Sequence, residues 1–460
     1  MNYENEPSEQ DDAIIGQAFR WSLAAIIPVA AIIFATYWYV NRKPDDEEVV
    51  IKKNTEEVKT YETDKPEIPE FKFTDISEKC GIDFVHHNGA TGEKLLPETM
   101  GGGVAVIDYD SDGLPDLFFV DSKSWDESDK QPSGSRLYRN LGGGSFEDVS
   151  QATGILESVS GYGMGCAVGD FDNDGDPDLF VSNLGRNQLL QNNEGVFSDI
   201  TERSGVAGGD ETWSTSCGFF DYDQDGDLDL FVCNYIQWSR EIDFELNFSL
   251  NGKDRAYGPP SNYRGAFSYL YRNEGNGTFV DVSQDAGLQQ VNPDSQSPIA
   301  KALAVAFIDA DQDGHTDILV ANDTVQNQLF HNLGNGKFEE IGSLSGMAFD
   351  RDGQATGAMG IDIGFPFSDR RIAIGIGNFA NEMTSLYVRQ DAPLVFADES
   401  LAEGIGAPSR SRLTFGLVFA DFDLDGRVDM LQTNGHLEEE INEVQPSQTY
   451  RQPAQLFWNQ

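Results

Sequence analysis

Basic residues are scarce in this chain: 31 lysines and arginines stand against 78 aspartates and glutamates, a formal charge of −47. A surface of that sign is repelled by a polyanion over a Debye length of about 8 Å. This excludes nucleic acid and anionic lipid faces as partners and leaves divalent cations or basic groups as counterions. Histidine is scarcer still. Five scattered copies, with no H-E-x-x-H, G-x-S-x-G or phosphate-loop pattern, exclude the common zinc, serine and nucleotide chemistries. His86 and His87, the only adjacent pair, read as loop residues. The four cysteines form no C-x-x-C pair, and Cys80, Cys166, Cys217 and Cys233 read as small buried packing residues. One alternative stays open: Cys217 and Cys233 lie symmetrically about Asp225, so a hairpin turning there would set them opposite each other for a disulfide.

Long apolar runs are missing too, with one exception. Residues 21–40 carry no charge, and twenty helical residues at about 1.5 Å each span the roughly 30 Å hydrocarbon layer. Arg20 precedes the run, Arg42 and Lys43 follow it, and Tyr37, Trp38 and Tyr39 suit an interfacial belt. A cleaved signal peptide would have a shorter run ending in small residues, so an uncleaved, single-pass signal anchor is expected, with residues 1–20 as its N-terminal tail. The few basic residues are slightly more numerous on the C-terminal side, which taken alone places that side in the cytoplasm. Residues 44–70 are charged throughout with no sustained apolar period, and are expected to be a disordered linker.

What the chain does have is glycine, 47 in all, and aspartate arranged in a repeat. The pattern D-x-D-x-D-G-x-x-D followed by a short apolar strand begins at Asp108, Asp170, Asp221, Asp309 and Asp421. A sixth copy is eroded: Phe365 stands where the first Asp belongs, Phe367 replaces the second, and Asp369 alone survives in register. Each copy is followed by a pair of short strands of the form L-Y-R-N, Gly-rich turn, F-x-D, as in the segments from Leu137, Leu189, Leu270, Leu329 and Leu386. Four strands per unit predict an all-β fold, a β-propeller of six or seven four-stranded blades spanning 71–460, which protects its edges by radial closure. Phe71 to Ser77 reads as the F-x-D half of a hairpin and Gln455 to Gln460 as the L-Y-R-N half, so the first strand is expected to complete the last blade. The wide spacing between Asp221 and Asp309 leaves an insertion at about 235–266.

The loops are expected to hold calcium. Side-chain oxygens come from positions 1, 3, 5 and 9, a carbonyl serves at position 7, and Gly at position 6 allows the sharp turn. The ligands are Asp108, Asp110, Asp112 and Asp116; Asp170, Asp172, Asp174 and Asp178; Asp221, Asp223, Asp225 and Asp229; Asp309, Asp311, Asp313 and Asp317; and Asp421, Asp423, Asp425 and Asp429, about five sites. Position 7 is held by Leu114, Asp176, Asp227, His315 and Arg427, the indifference expected of a carbonyl donor. Asp and Gly also make turns without metal, but five loops with all four aspartates in register favour ligation. Sites of modest affinity fill outside the cytoplasm, so the propeller is expected on the extracytoplasmic side, against the weak charge signal at the anchor.

The segments E-T-M-G-G-G-V-A-V-I-D from Glu98, A-N-D-T from Ala321, G-N-G-K-F-E-E from Gly334, G-A-M-G-I-D-I-G from Gly357 and T-N-G-H-L from Thr433 resemble the ASPIC/UnbV family of FG-GAP/VCBS repeat proteins, cartilage acidic protein-like. The resemblance runs from about residue 71 to 460. It implies a calcium-binding propeller with a role in adhesion or matrix contact; the small C-terminal domain that family members commonly carry is expected to be missing here. Two readings of function follow. One is a membrane-anchored binding or adhesion scaffold for a protein or glycan ligand, met at the loop faces and through Trp238, Arg255, Tyr257, Tyr263 and Arg264 of the insertion. The alternative is a propeller enzyme, a lyase, hydrolase or quinone-dependent dehydrogenase, with a site at the central channel; it requires His, Arg and acid to converge there, which the sequence alone does not show.

Overall fold

In the computed structural model the described residues are 10–40, 72–125, 134–250, 252 and 254–460. The linker expected at 44–70 and the aromatic residue opening the propeller at 71 lie outside them. The chain divides into two units, Met1–Glu67 and Ile68–Gln460.

The first unit contains one helix, Gln10–Val40, whose stretch Gly16–Tyr39 is long and apolar enough to cross a membrane and has none of its side chains buried. It begins earlier than the apolar run, so half of the expected tail is helical. No proline intervenes in this helix before Pro28.

The second unit is a six-bladed propeller. Blade one is β1 (Val104–Ile107), β2 (Asp116–Phe119), β3 (Arg136–Asn140) and β4 (Phe146–Asp148). Blade two is β5 (Tyr162–Gly169), β6 (Asp178–Leu184), β7 (Gln188–Asn193) and β8 (Val196–Asp199). Blade three is β9 (Ser214–Phe220), β10 (Asp229–Asn234), β11 (Tyr269–Asn273) and β12 (Phe279–Asp281). Blade four is β13 (Ala302–Ile308), β14 (Asp317–Asn322), β15 (Gln328–Asn332) and β16 (Phe338–Glu340); blade five is β17 (Ile361–Gly364), β18 (Ala373–Ile376), β19 (Ser385–Arg389) and β20 (Phe396–Asp398). Blade six has β21 (Thr414–Ala420), β22 (Asp429–Asn434) and β23 (Gln455–Phe457). Every neighbouring pair is antiparallel and in chain order, so the Asp loops joining first to second strands all lie at one end of the blades. The connections from second to third strands, and those between blades, lie at the other. First strands of blades two, three, four and six, with the residues just before β1 and β17, line a central cavity of about 400 Å³.

Successive blades bury one apolar cluster between each pair. Phe118 and Val120 meet Leu179 and Val181; Phe180 meets Leu230 and Val232; Phe231 meets Ile318; Leu319 meets Ile374 and Tyr387; Ala373 and Val388 meet Met430. Each fully buried Leu, Ile or Phe contributes about 1.5–3 kcal/mol. In the eroded unit Ile372, Ile374 and Ile376 are buried and Ile361 and Ile363 half-buried in such a cluster, so apolar packing holds that blade.

Two expectations change. The insertion forms no seventh blade: Ser239 caps a short helix, Arg240–Leu246, and Tyr235, Ile236, Trp238 and Tyr263 are buried against Leu96, Tyr162 and Trp213. Cys217 and Cys233 are both free thiols. Asp229 pairs with Phe220 and Val232 with Cys217, so the hairpin turns half a residue earlier than a turn centred on Asp225. Cys233 is therefore displaced to the opposite face of the sheet, since strand side chains alternate.

Ring closure is marked but incomplete. After each outer strand an Asp or Glu accepts the N–H of a residue two along, as Asp148 does from Ser150, Asp281 from Ser283 and Asp398 from Ser400; Asp75 takes the N–H and hydroxyl of Ser77 in the same way. The Phe73 ring lies edge-on to Phe422 of blade six, 6.2 Å between centroids. Residues 72–76 nonetheless form no strand beside β23. Their position is reported by glycine. A methyl group on Gly346 (φ +86°) would sit 2.5 Å from the Phe396 carbonyl oxygen of the next blade, whereas one on Gly404 (φ +77°) would have nothing within 4 Å. Both glycines share the left-handed strain, so Gly346→Ala should destabilise by about 1–3 kcal/mol more than Gly404→Ala. Equal losses in thermal melts would mean that the Phe73 carbonyl stands against Gly404 and that blade six closes as a complete four-stranded sheet.

Candidate metal loops

The five Asp loops are wired alike. In the first, the Asp108 carboxylate accepts the N–H of Asp112 and of Gly113, each at 3.0 Å, and Asp112 accepts that of Leu114 at 2.9 Å. The same three bonds recur from Asp170 and Asp174, Asp221 and Asp225, Asp309 and Asp313, and Asp421 and Asp425. Position 4 is left-handed in every loop, at Ser111, Asn173, Gln224, Gln312 and Leu424, with φ between 56° and 67°. That conformation costs a non-glycine residue of order 1 kcal/mol and has no common side chain to announce it in the sequence.

Position 9 anchors the loop. Asp116, Asp178, Asp229, Asp317 and Asp429 are buried at the start of the second strand. Each accepts one N–H from position 2 of its own loop and one from an Asn at or near the end of the third strand, as Asp178 does from Phe171 (3.2 Å) and Asn192 (2.8 Å). Burial pushes the Asp178 carboxyl up to about 8 and that of Asp229 up to about 7, outweighing these donors; it raises Asp116 and Asp317 as well.

That Asn does a second job. The Asn192 amide donates to the carbonyl of Tyr109 in blade one; Asn273 reaches Phe171 in blade two, Asn332 reaches Tyr222 in blade three and Asn459 reaches Pro366 in blade five, at 2.6–2.9 Å. In blade five Arg389 makes the equivalent contact to Ala310 of blade four, at 3.2 Å. The loops of blades one to five are thus each stapled to the following blade. Asn173 to Asp227 (2.8 Å) and Gln224 to the Gly314 carbonyl (2.5 Å) link neighbouring loops directly.

Position 3 carries the metal argument. Oδ1 of Asp110 and of Asp172 is buried with no hydrogen-bond partner among the described residues. Their second oxygens are held by the residue preceding the third-strand Asn: Arg139 on Asp110 (2.7 Å) and Gln191 on Asp172 (2.5 Å). Trp458 does the same for Asp423 (2.9 Å), and His331 Nε2 lies 4.0 Å from Asp311. Sequence reasoning saw this position only as a hairpin residue, because Arg, Gln, His and Trp share no chemistry beyond an N–H. Carboxylate oxygens within 4.8 Å of one another come from Asp108, Asp110 and Asp116, from Asp170, Asp172 and Asp178, from Asp221, Asp223 and Asp225, and from Asp309, Asp311 and Asp313. A further group joins Asp311 and Asp317 to His331. Asp112, Asp174 and Asp229 enter through the loop wiring, and Asp421, Asp423, Asp425 and Asp429 share that wiring in blade six. At an effective dielectric of about 20, two such charges repel by a few kcal/mol. Orphaned buried oxygens in an all-oxygen donor set fit a hard divalent cation. Blade five offers none of this: Phe365 is exposed and Asp369 pairs with Arg371 at 2.8 Å.

The model for the FG-GAP-like repeat matches residues 108–181, 170–232, 256–320 and 309–364, together about half of the chain. Cartilage acidic protein 1 of Xenopus tropicalis is 23% identical over 393 residues, covering 74% of this chain and 58% of that protein; the Mus musculus protein is 27% identical over 178 residues, covering 36% of this chain and 25% of its own. The chain thus spans less than two thirds of the curated relatives it matches. Among solved structures, an Agrocybe aegerita lectin recognising non-reducing terminal N-acetylglucosamine has a TM-score of 0.38 at 16% identity, covering 78% of this chain and 81% of its own. An exotype rhamnogalacturonan lyase has a TM-score of 0.37 at 12% identity, covering 73% and 54%.

Ligation and turn formation separate by experiment. Asp172→Ala removes a carboxylate with one orphaned oxygen while leaving the Gly175 turn intact. It should lower the melting temperature in millimolar calcium, where a bound ion contributes RT ln(1 + [L]/Kd), and leave it unchanged or raise it slightly in chelator. Equal destabilisation in both buffers would make Asp172 a turn former.

Proposed function

Because the chain belongs to the FG-GAP-like repeat family, we propose that it is a calcium-loaded propeller, anchored to a membrane by its apolar helix, that works on the extracytoplasmic side as a binding or adhesion scaffold for a protein or glycan partner. The observation that carries this reading is the buried, unpartnered oxygen at position 3 in the loops of blades one and two, whose other aspartates are held by the wiring that all five loops share. Asp108, Asp110, Asp112 and Asp116, and their counterparts in blades two, three, four and six, would hold the ions. A bound cation would supply positive charge where the carboxylates of a loop outnumber the basic groups beside them, and it would displace the proton that burial favours on Asp178 and Asp229. The role is then architectural: calcium stiffens one face of the ring, and the loops at either end present the contact surfaces. Millimolar calcium outside the cytoplasm suits such sites.

Topology is tested by adding protease to intact cells. The propeller should be removed; protection that is lost only on permeabilisation would place it in the cytoplasm. Anomalous scattering from calcium-loaded crystals should show ions in five loops and none in blade five. An ion coordinated by Asp369, or empty loops at millimolar calcium, would overturn the metal assignment.

A further inference from the structure

Four of the five composite motifs noted in the sequence converge on one cavity that the calcium loops do not use. Thr99 and Met100 precede blade one, Asp323 and Thr324 follow β14, Gly357 and Met359 precede blade five, and His436 and Leu437 follow β22. All lie at the end of the blades opposite the Asp loops, where the antiparallel order puts these connections. The insertion adds Phe248, Tyr257 and Pro259, and the enclosed space is about 280 Å³.

The walls are largely apolar, including Met100, Met359, Phe379 and Phe415, and three carboxylates interrupt them. That of Glu438 is occupied: it accepts the Tyr257 N–H at 2.7 Å and pairs with Lys94 at 3.3 Å. Asp323 is different. It is 91% buried (9% exposed), its Oδ2 accepts the Tyr235 hydroxyl at 2.5 Å, and among the described residues nothing donates to Oδ1. Lys301, whose charge favours the ionised Asp323 carboxylate, directs its ammonium to the Pro260 carbonyl at 2.7 Å. Glu382 accepts the Gly357 N–H at 2.8 Å. A methyl group on Gly357 would sit 2.8 Å from Phe379 Cβ, 3.2 Å from Asp323 Oδ1 and 3.6 Å from Glu382 Oε2, so the packing of Phe379 requires glycine here, and both carboxylates stand on the same side of it.

We propose that this cavity binds a primary ammonium group carried on a short apolar stem, such as a lysine side chain of a partner protein, with its nitrogen at Asp323 Oδ1 between Asp323 and Glu382. A single open oxygen suits a point charge; the bidentate fork of a guanidinium would need both, and Tyr235 holds the second. A divalent cation would need six or more oxygens, which Met and Phe walls do not supply. The apolar stem matches those walls, and aromatic faces add cation–π attraction. A neutral alcohol of equal length would offer Oδ1 a hydrogen bond but bring no positive charge to it. The assignment deepens the scaffold reading and rests on it for what the ammonium is attached to.

The test uses the full chain in detergent and millimolar calcium, titrated with n-butylammonium, n-propylguanidinium and n-butanol and followed by saturation-transfer NMR. Butylammonium should bind saturably and displace an Nα-acetyl-lysine amide probe, with the guanidinium and the alcohol weaker by about tenfold or more. Asp323→Asn, nearly isosteric, should weaken butylammonium by a similar factor. Glu382→Gln, at the half-buried second carboxylate, should weaken it severalfold and serves if the first variant fails to fold. Equal binding of the alcohol or the guanidinium, or unchanged binding in the variant that folds, overturns the proposal. Since calcium-dependent melting is measured on the same samples, absence of ammonium binding with that dependence intact sinks this assignment and leaves the scaffold reading standing.

Discussion

A buried carboxylate that accepts two backbone N–H groups stands at the base of every intact Asp loop, and the ring depends on it. One donor comes from the loop itself and the other from the third strand, so a single side chain fixes the loop, the second strand and the third strand against each other. An unpaired buried N–H or C=O would cost about 1–3 kcal/mol, so this arrangement tolerates little variation. The Asn that supplies the second N–H then sends its own amide to the preceding blade. Intrablade register and interblade docking are therefore settled by adjacent atoms, and the apolar clusters between blades pack around a geometry already defined.

The two ends of the propeller divide the chemistry. At one end, short repeated loops concentrate aspartates whose mutual repulsion calls for cations. At the other, connections of unequal length carry the insertion, the tryptophans and the cavity. The Trp213 indole meets Tyr235 at 5.1 Å and Trp238 at 6.0 Å, and the buried Asp243–Arg255 pair is braced by the Trp238 indole N–H and by Leu96. Rigidity at the repeated end and variability at the other is the usual division in a propeller, where loops carry the specificity that the blades support.

The repeat was legible because each of its marks has a local cause: Gly where the turn needs it, Asp where a backbone N–H needs an acceptor, and alternation where a strand has two faces. Loop positions and the eroded Phe365 unit followed from spacing and register, while spacing alone left the blade count at six or seven. What stayed hidden lacked a shared residue type or depended on distant parts of the chain. Position 4 is left-handed with Ser, Asn, Gln or Leu, and the residue guarding position 3 is Arg, Gln, His or Trp. Thr99, Asp323, Gly357 and His436 were noticed as family motifs, but only the circular closure of the fold brings them together. The reading of Cys217 against Cys233 erred by half a residue in the turn, enough to send one thiol to the other face.

The staples between blades all run the same way, from a third strand back to the loop of the blade before it. Asn140 of blade one reaches only Pro115 of its own loop among the described residues. The ring therefore has a polarity that matches the order of synthesis. As each third strand leaves the ribosome, its acceptor carbonyl is already in place, and no contact of this class waits on residues still to be made. Assembly can advance like a ratchet, one blade per step, with the seam left for last.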